Sequence, residues 1–249
     1  MRIIKKSASL IIVFLIAHVI PILSRTISGS FNFYKNYSEP IDGLIYVIIT
    51  YLLQIFFTIL VLKICIRGNI SKAGFNFDNK DLSIRILKRF ILIWSVIVIV
   101  FFVIALNLSQ GFGSYIKNLC PPDFCYILKD FIVGVILAGI SEELLFRSFV
   151  VLALIKYWDN GFKLGKITIP HVSIISGFIF MTAHIGYNLY PSFTITHLDP
   201  LQLLFTFVLG TVWTTIFVKT RSLLCPVLAH SGANAIQYAA GYITSFILR

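Results

Sequence analysis

Long apolar runs, separated by short polar connections, make up most of the chain. Seven are long enough to cross about 30 Å of hydrocarbon, which takes about 20 residues. They fall at residues 7–24, 41–66, 90–107, 124–155, 170–190, 201–218 and 222–248. None alternates apolar and polar positions with period two. Within a bilayer, moreover, the backbone N–H and C=O groups of a span must be satisfied internally. The pattern predicts an all-α fold, a polytopic membrane helix bundle of about seven transmembrane helices. The first run follows Arg2, Lys5 and Lys6, as the core of a signal peptide would. No small-x-small cleavage site comes after it, so it is expected to be a retained helix.

Composition supports the pattern. Hydrophobic residues make up 58% of the 249 positions and charged residues 12%, against about 25% charged in a soluble domain. Mean hydropathy is +0.91. A soluble protein is excluded, and the net charge of +11 then records topology and does not point to nucleic acid. With a cytosolic N-terminus, one side collects Arg2, Lys5, Lys6, Lys63, Arg67, Lys72, Lys80, Arg85, Lys88, Arg89, Lys156, Lys163, Lys166, Lys219 and Arg221. The other side has Arg25, Lys35, Lys117, Lys129 and Arg249, and Arg147 lies inside a span. A bias of 15 to 5 among the 21 basic residues predicts a multi-pass protein with the N-terminus cytosolic and the C-terminus on the opposite side. Residues 82–90, where apolar positions alternate with Arg85, Lys88 and Arg89, are expected to form either an interfacial helix against anionic headgroups or a basic loop. Cys65 and Cys225 are expected to be buried small hydrophobes. Cys120 and Cys125 share an outer loop, where an oxidising compartment would allow a disulfide.

Scarce charge makes the charges inside the spans conspicuous. The fourth run contains Ser141-Glu142-Glu143-Leu144-Leu145-Phe146-Arg147. Each ionised side chain near the bilayer centre costs about 2.5–3.5 kcal/mol. Three left unpaired would cost about 8–10 kcal/mol, comparable to the whole stability of many proteins. They must face the bundle interior and meet partners. Glu143 and Arg147 are four residues apart with the acid first, the favourable order for an on-helix ion pair. Glu142 is turned about 100° away from Glu143, which leaves it free for chemistry. In the fifth run Phe180 and His184 share a helical face, and in the seventh His230 and Asn234 do. Ala229, Ser231, Gly232, Ala233 and Ala235 are small enough to permit close helix approach there.

At 1.5 Å per residue, Glu142 lies about 20 Å from the cytosolic end of its span and His184 about 21 Å from the start of its own. His230 and Asn234 lie about 12 and 18 Å into theirs. These depths allow one cluster at or just cytosolic of the midplane. His18, His171 and His197, near span ends or loops, are expected to be packing or loop residues, and Phe180 a packing residue. A carboxylate with an imidazole can activate water. A second imidazole and an amide can donate to a developing oxyanion. Together they suit hydrolysis of an amide bond inside the bilayer. Two His and a Glu could equally hold zinc with an open position. No HExxH segment occurs, and no Ser nucleophile with a matching base stands out.

Glu142-Glu143-x-x-x-Arg147, Phe180-x-x-x-His184 and His230-x-x-x-Asn234, in that order on apolar segments, resemble the three motifs of the CPBP family. These are the CAAX protease and bacteriocin-processing, or Abi, intramembrane proteases, related to the type II CAAX prenyl endopeptidase. The resemblance covers residues 124–248. It divides the chain into N-terminal transmembrane helices with a cytosolic basic loop at 1–123 and a CPBP-like catalytic core at 124–249. It implies that Glu142 and His184 activate the attacking water, that His230 and Asn234 stabilise the oxyanion, and that Glu143 and Arg147 support the helix. It also implies an intramembrane endopeptidase acting on a hydrophobic, membrane-associated or lipid-anchored peptide. No cofactor is expected. The alternative is zinc held by Glu142, His184 and His230. Two other functions remain open: a non-catalytic membrane immunity or scaffold protein of the same fold, and a proton-coupled transporter. The broken helices or paired halves that mark a transporter are not visible.

Overall fold

A computed structural model describes residues 2–66, 73–108, 111–158, 160–165, 167–188, 192 and 194–248. Among the basic residues used above for orientation, Arg67, Lys72, Lys166 and Arg249 lie outside the described residues. So does Tyr190, the expected end of the fifth span.

The chain forms a helix bundle. In order, the helices are α1 (Arg2–Ser30), α2 (Ile41–Ile66), α3 (Lys80–Leu108), the short α4 (Phe112–Leu119), α5 (Phe124–Leu154), α6 (His171–Thr182), α7 (Pro200–Thr220) and α8 (Leu224–Ile247). Two small antiparallel hairpins flank α6: β1 (Gly161–Leu164) with β2 (Ile167–Pro170), and β3 (Gly186–Asn188) with β4 (Thr194–His197). Helix starts follow local chemistry. Asp123 accepts from the amide of Cys125 to cap α5, and Asp199 accepts from those of Leu201 and Gln202 to cap α7, whose first residue is Pro200.

Five helices among the described residues, α1, α2, α3, α5 and α7, are long and apolar enough to cross a membrane. The bundle is therefore that of an integral membrane protein, but two of the seven expected spans differ from expectation. The fifth shrinks to the 12 residues of α6, about 18 Å, too short to cross. Beyond Thr182 the chain turns into the β3–β4 hairpin. The seventh, α8, has 24 residues and length enough. Its His, Asn, Gln and Ser side chains make it more polar than a lipid-facing helix. Residues 82–90 are neither a separate interfacial helix nor a loop. They form the first turns of α3, with Arg85, Lys88 and Arg89 exposed.

Burial places α5 at the centre. Every residue from Glu143 to Val151 is buried, packed on α2 to one side and on α6 and α8 to the others. Leu145, Val150, Leu154, Val172 and Ala229 are fully enclosed. By contrast, Ile11, Leu15, Leu52, Phe56, Leu92, Val96 and Ile99 are large, apolar and exposed, as a surface bathed in lipid requires. Helices approach closely at glycines. A Cβ on Gly139 of α5 would overlap the Ser231 hydroxyl of α8, and one on Gly177 of α6 would overlap the Thr211 hydroxyl of α7. α5 is also wound more widely than an α-helix over Phe131–Leu137 and Leu144–Val151. The ordinary α-helical turn Ala138–Glu143 lies between these stretches. Such π-type winding is rare and tends to occur at functional sites.

Candidate active site

The site grows from the central turn of α5. Glu143 and Arg147 are completely buried, with Glu143 Oε2 2.8 Å from Arg147 Nε. The approach is close but off the hydrogen-bonding axis, and the terminal guanidinium nitrogens have no hydrogen-bond partner among the described residues. Aromatic faces surround the cation instead. Its Cζ lies 4.7 Å from the Phe180 ring centroid and 5.4 Å from that of Trp213. The expected on-helix ion pair is present, and two aromatic residues from α6 and α7 complete its surroundings.

The other oxygen of Glu143 reaches α8. His230 Nδ1 stands 2.8 Å from Glu143 Oε1. An ionised carboxylate only accepts, so Nδ1 carries the proton. Trp213 stacks on the His230 ring with centroids 4.2 Å apart and planes 16° from parallel. The imidazole is thus held by one hydrogen bond and one stacked face. Its remaining nitrogen, Nε2, lies 3.9 Å from Glu142 Oε2.

Glu142 has a different environment from its neighbour. Its side chain is 16% exposed where that of Glu143 is 0%. Its second oxygen, Oε1, accepts from the phenol of Tyr51 on α2 at 3.2 Å. A pair of adjacent carboxylates is therefore divided: Glu143 is enclosed by a cation and an imidazole, while Glu142 keeps partial access.

The structure brings the remaining expected residues together unevenly. Phe180 is buried and edge-on to Phe146, with centroids 4.9 Å apart, a packing residue that also faces Arg147. His184 stands just beyond the end of α6, where its Nδ1 lies 2.8 Å from the Phe180 carbonyl oxygen. That carbonyl only accepts, so Nδ1 donates and the ring presents its Nε2 away from the helix end. Its ring lies 4.6 Å from that of Phe180, which is in turn 6.1 Å from that of His230. Among the described residues no hydrogen bond or ion pair joins His184 to Glu142. Asn234 does not turn to Glu142 either: its amide donates to the Gly134 carbonyl of α5 at 2.7 Å. His171 and His197 lie elsewhere, against Phe162 and Gln202. His18 contacts Thr182 Oγ1 at 3.1 Å and ties α1 to the end of α6.

No three His, Cys, Asp or Glu residues among those described come together in an arrangement that could hold a metal ion. Glu142 and His230 face one another at 3.9 Å, and among the described residues no third such group joins them. Cys120 and Cys125 are free thiols, the first buried and the second exposed.

Two residues at the site were not anticipated from sequence, Tyr51 and Trp213. A faint signal for Tyr51 exists. Thr50, Gln54 and Thr58, spaced four apart on the same helix, are all buried and mark the side of α2 that faces protein. Trp213 has no such signal, since an aromatic residue in an apolar helix is unremarkable.

Residues 125–236 match the family model for the type II CAAX prenyl endopeptidase, Rce1-like. No curated protein and no solved structure gives a significant match. The matched stretch contains the Glu142-Glu143-Arg147 turn, Phe180, His184, His230 and Asn234. Over these residues, a little under half of the chain, it is similar to the CAAX protease family of intramembrane endopeptidases.

Proposed function

We propose that Glu142 is the general base of this endopeptidase and that a hydrophobic or lipid-anchored peptide is cut at the carboxylate it presents. The observation that supports this reading is the division of the carboxylate pair. Glu143 is committed to Arg147 and His230, and Glu142, partly open, takes one hydrogen bond, from a phenol, with His230 Nε2 standing 3.9 Å away.

In this scheme Glu142 takes a proton from water as the oxygen adds to the scissile carbonyl carbon. The proton then passes to the leaving amide nitrogen as the C–N bond breaks. His184, which presents Nε2 away from the helix end, helps hold the water. The carbonyl oxygen carries the developing negative charge, and His230 Nε2 meets it as a donor when that nitrogen is protonated. Glu143 then balances the imidazolium from the far side. Asn234 has a second amide hydrogen besides the one given to Gly134, and that hydrogen is its contribution to the oxyanion. Glu143 and Arg147 hold His230 and touch no substrate.

The test uses protein reconstituted in liposomes and a fluorogenic peptide with a hydrophobic, lipid-anchored end. Glu142→Gln should lower kcat by about 10²- to 10⁴-fold, the usual contribution of a positioned base. The variant should still accumulate in the membrane. Wild-type turnover by Glu142→Gln would overturn the reading and favour a non-catalytic protein of the same fold.

A further inference from the structure

The N-terminal helices lie outside the matched stretch, yet one of them touches the acid pair. Tyr51 of α2 donates its phenol hydrogen to Glu142 Oε1 at 3.2 Å. Among the described residues it is the only direct hydrogen-bond donor to that carboxylate. Glu142 has a flexible three-bond side chain and a neighbour, Glu143, that claims the nearby cation. Nothing on α5 itself fixes where the Glu142 carboxylate points.

We infer that Tyr51 is the positioning residue for Glu142: its phenol pins one carboxylate oxygen so that the other faces the His230 side of the site, where water would be activated. This rests on the proposed role of Glu142. The geometry supports it on both sides of the carboxylate. Oε1 is bonded to Tyr51, and Oε2 stands 3.9 Å from His230 Nε2. Thr50, Gln54 and Thr58 turn the same helix into the protein interior, and α2 packs along α5, so the phenol is anchored on a rigid neighbour and not on a loop. A carboxylate free to rotate would spend less time in reacting geometry. The cost of losing this pin should therefore appear in the chemical step and not in binding. The first half of the chain would then be part of the catalytic apparatus, beyond merely anchoring it.

Tyr51→Phe removes one oxygen and leaves the ring in place. Expected is a fall in kcat of about ten- to hundredfold, the range for a hydrogen bond to a charged group. KM and thermal stability should be unchanged. Glu142→Asp, one methylene shorter, withdraws the carboxylate from the phenol. Adding Tyr51→Phe to Glu142→Asp should then cost less than twofold, whereas independent roles would multiply. Wild-type kcat in Tyr51→Phe while Glu142→Gln is inactive would overturn this inference and leave the general-base reading standing. Additive effects in the double variant, or a loss of kcat that tracks a loss of stability, would assign Tyr51 a structural role only and also overturn it. An active Glu142→Gln would remove both.

Discussion

One oxygen of Glu143 meets Nδ1 of His230 at 2.8 Å, although the two residues stand 87 positions apart in sequence. The other oxygen of the same carboxylate lies 2.8 Å from Arg147. This carboxylate therefore links a buried cation on its own helix to an imidazole on another. It joins α5 to α8 at the depth where the candidate base sits, and it fixes which His230 nitrogen faces that base.

The two adjacent glutamates should respond differently to the same substitution. Glu143→Gln leaves Arg147 buried without a counter-charge, and breaking a fully buried pair costs about 3–5 kcal/mol. Glu142→Gln removes a charge that is 16% exposed and whose nearest ionisable partner, His230 Nε2, stands 3.9 Å away. Its stability should stay within about 1 kcal/mol of wild type. Thermal unfolding in detergent separates the two. Equal losses of stability would contradict the division of roles between them.

The spacing of Glu143 and Arg147 made their pairing legible in sequence, because four residues on one helix bring two side chains together wherever the helix is placed. The same spacing also brought His184 against Phe180, with ring centroids 4.6 Å apart, but not along one continuous helix. The helical face of His184 was inferred from Phe180, but α6 ends at Thr182 and His184 lies beyond it, where its ring caps the last turn. Apolar residues continue through Ala183 and Ile185, so hydropathy alone did not reveal the break. Asn234 illustrates a second limit. Its alignment with His230 on α8 was readable, but its partner, the Gly134 carbonyl, is a backbone group that no side-chain pattern announces. Tyr51 and Trp213 were missed because their roles arise only when α2 and α7 pack against α5.

Close helix approach at Gly177 can be probed directly. A Cβ there would overlap the Thr211 hydroxyl and stand 2.9 Å from the Phe207 carbonyl oxygen and 3.0 Å from the Thr211 amide nitrogen. The last two are backbone atoms and cannot swing aside. Gly177→Val should destabilise by about 1–3 kcal/mol through overpacking. Gly29→Ala, with nothing within 4 Å of the added carbon, should be neutral or slightly stabilising. Unfolding midpoints of the two variants give the comparison, and a neutral Gly177→Val would mean that α6 and α7 do not meet as closely as described.

Cleavage should survive removal of metal. A catalytic zinc site needs three protein ligands gathered around one point. Among the described residues no three His, Cys, Asp or Glu side chains gather in that way, and no third such group joins Glu142 and His230. Protein purified and assayed in a strong chelator should keep at least half of its activity. Loss of activity that added Zn²⁺ restores would show that these donors regroup around a metal.

Two cysteines offer a test of orientation. Glu39, just before α2, lies 3.9 Å from Lys129 in the early turns of α5, so α2 and α5 start at the same end of the bundle. Cys65, exposed near the finish of α2, and Cys125, exposed at the start of α5, must then lie at opposite ends. If the bias of basic residues sets the orientation, Cys65 is cytosolic and Cys125 lies outside. Cys120 is a poor reporter, because burial and then the charge of Asp130 push its thiol up to about 11, and maleimides react with the thiolate. In single-cysteine variants on intact cells, a membrane-impermeant maleimide should label Cys125 and leave Cys65 unlabelled until the membrane is opened. The reverse order would invert the topology, and labelling of both from outside would mean that α2 and α5 do not span the membrane as described.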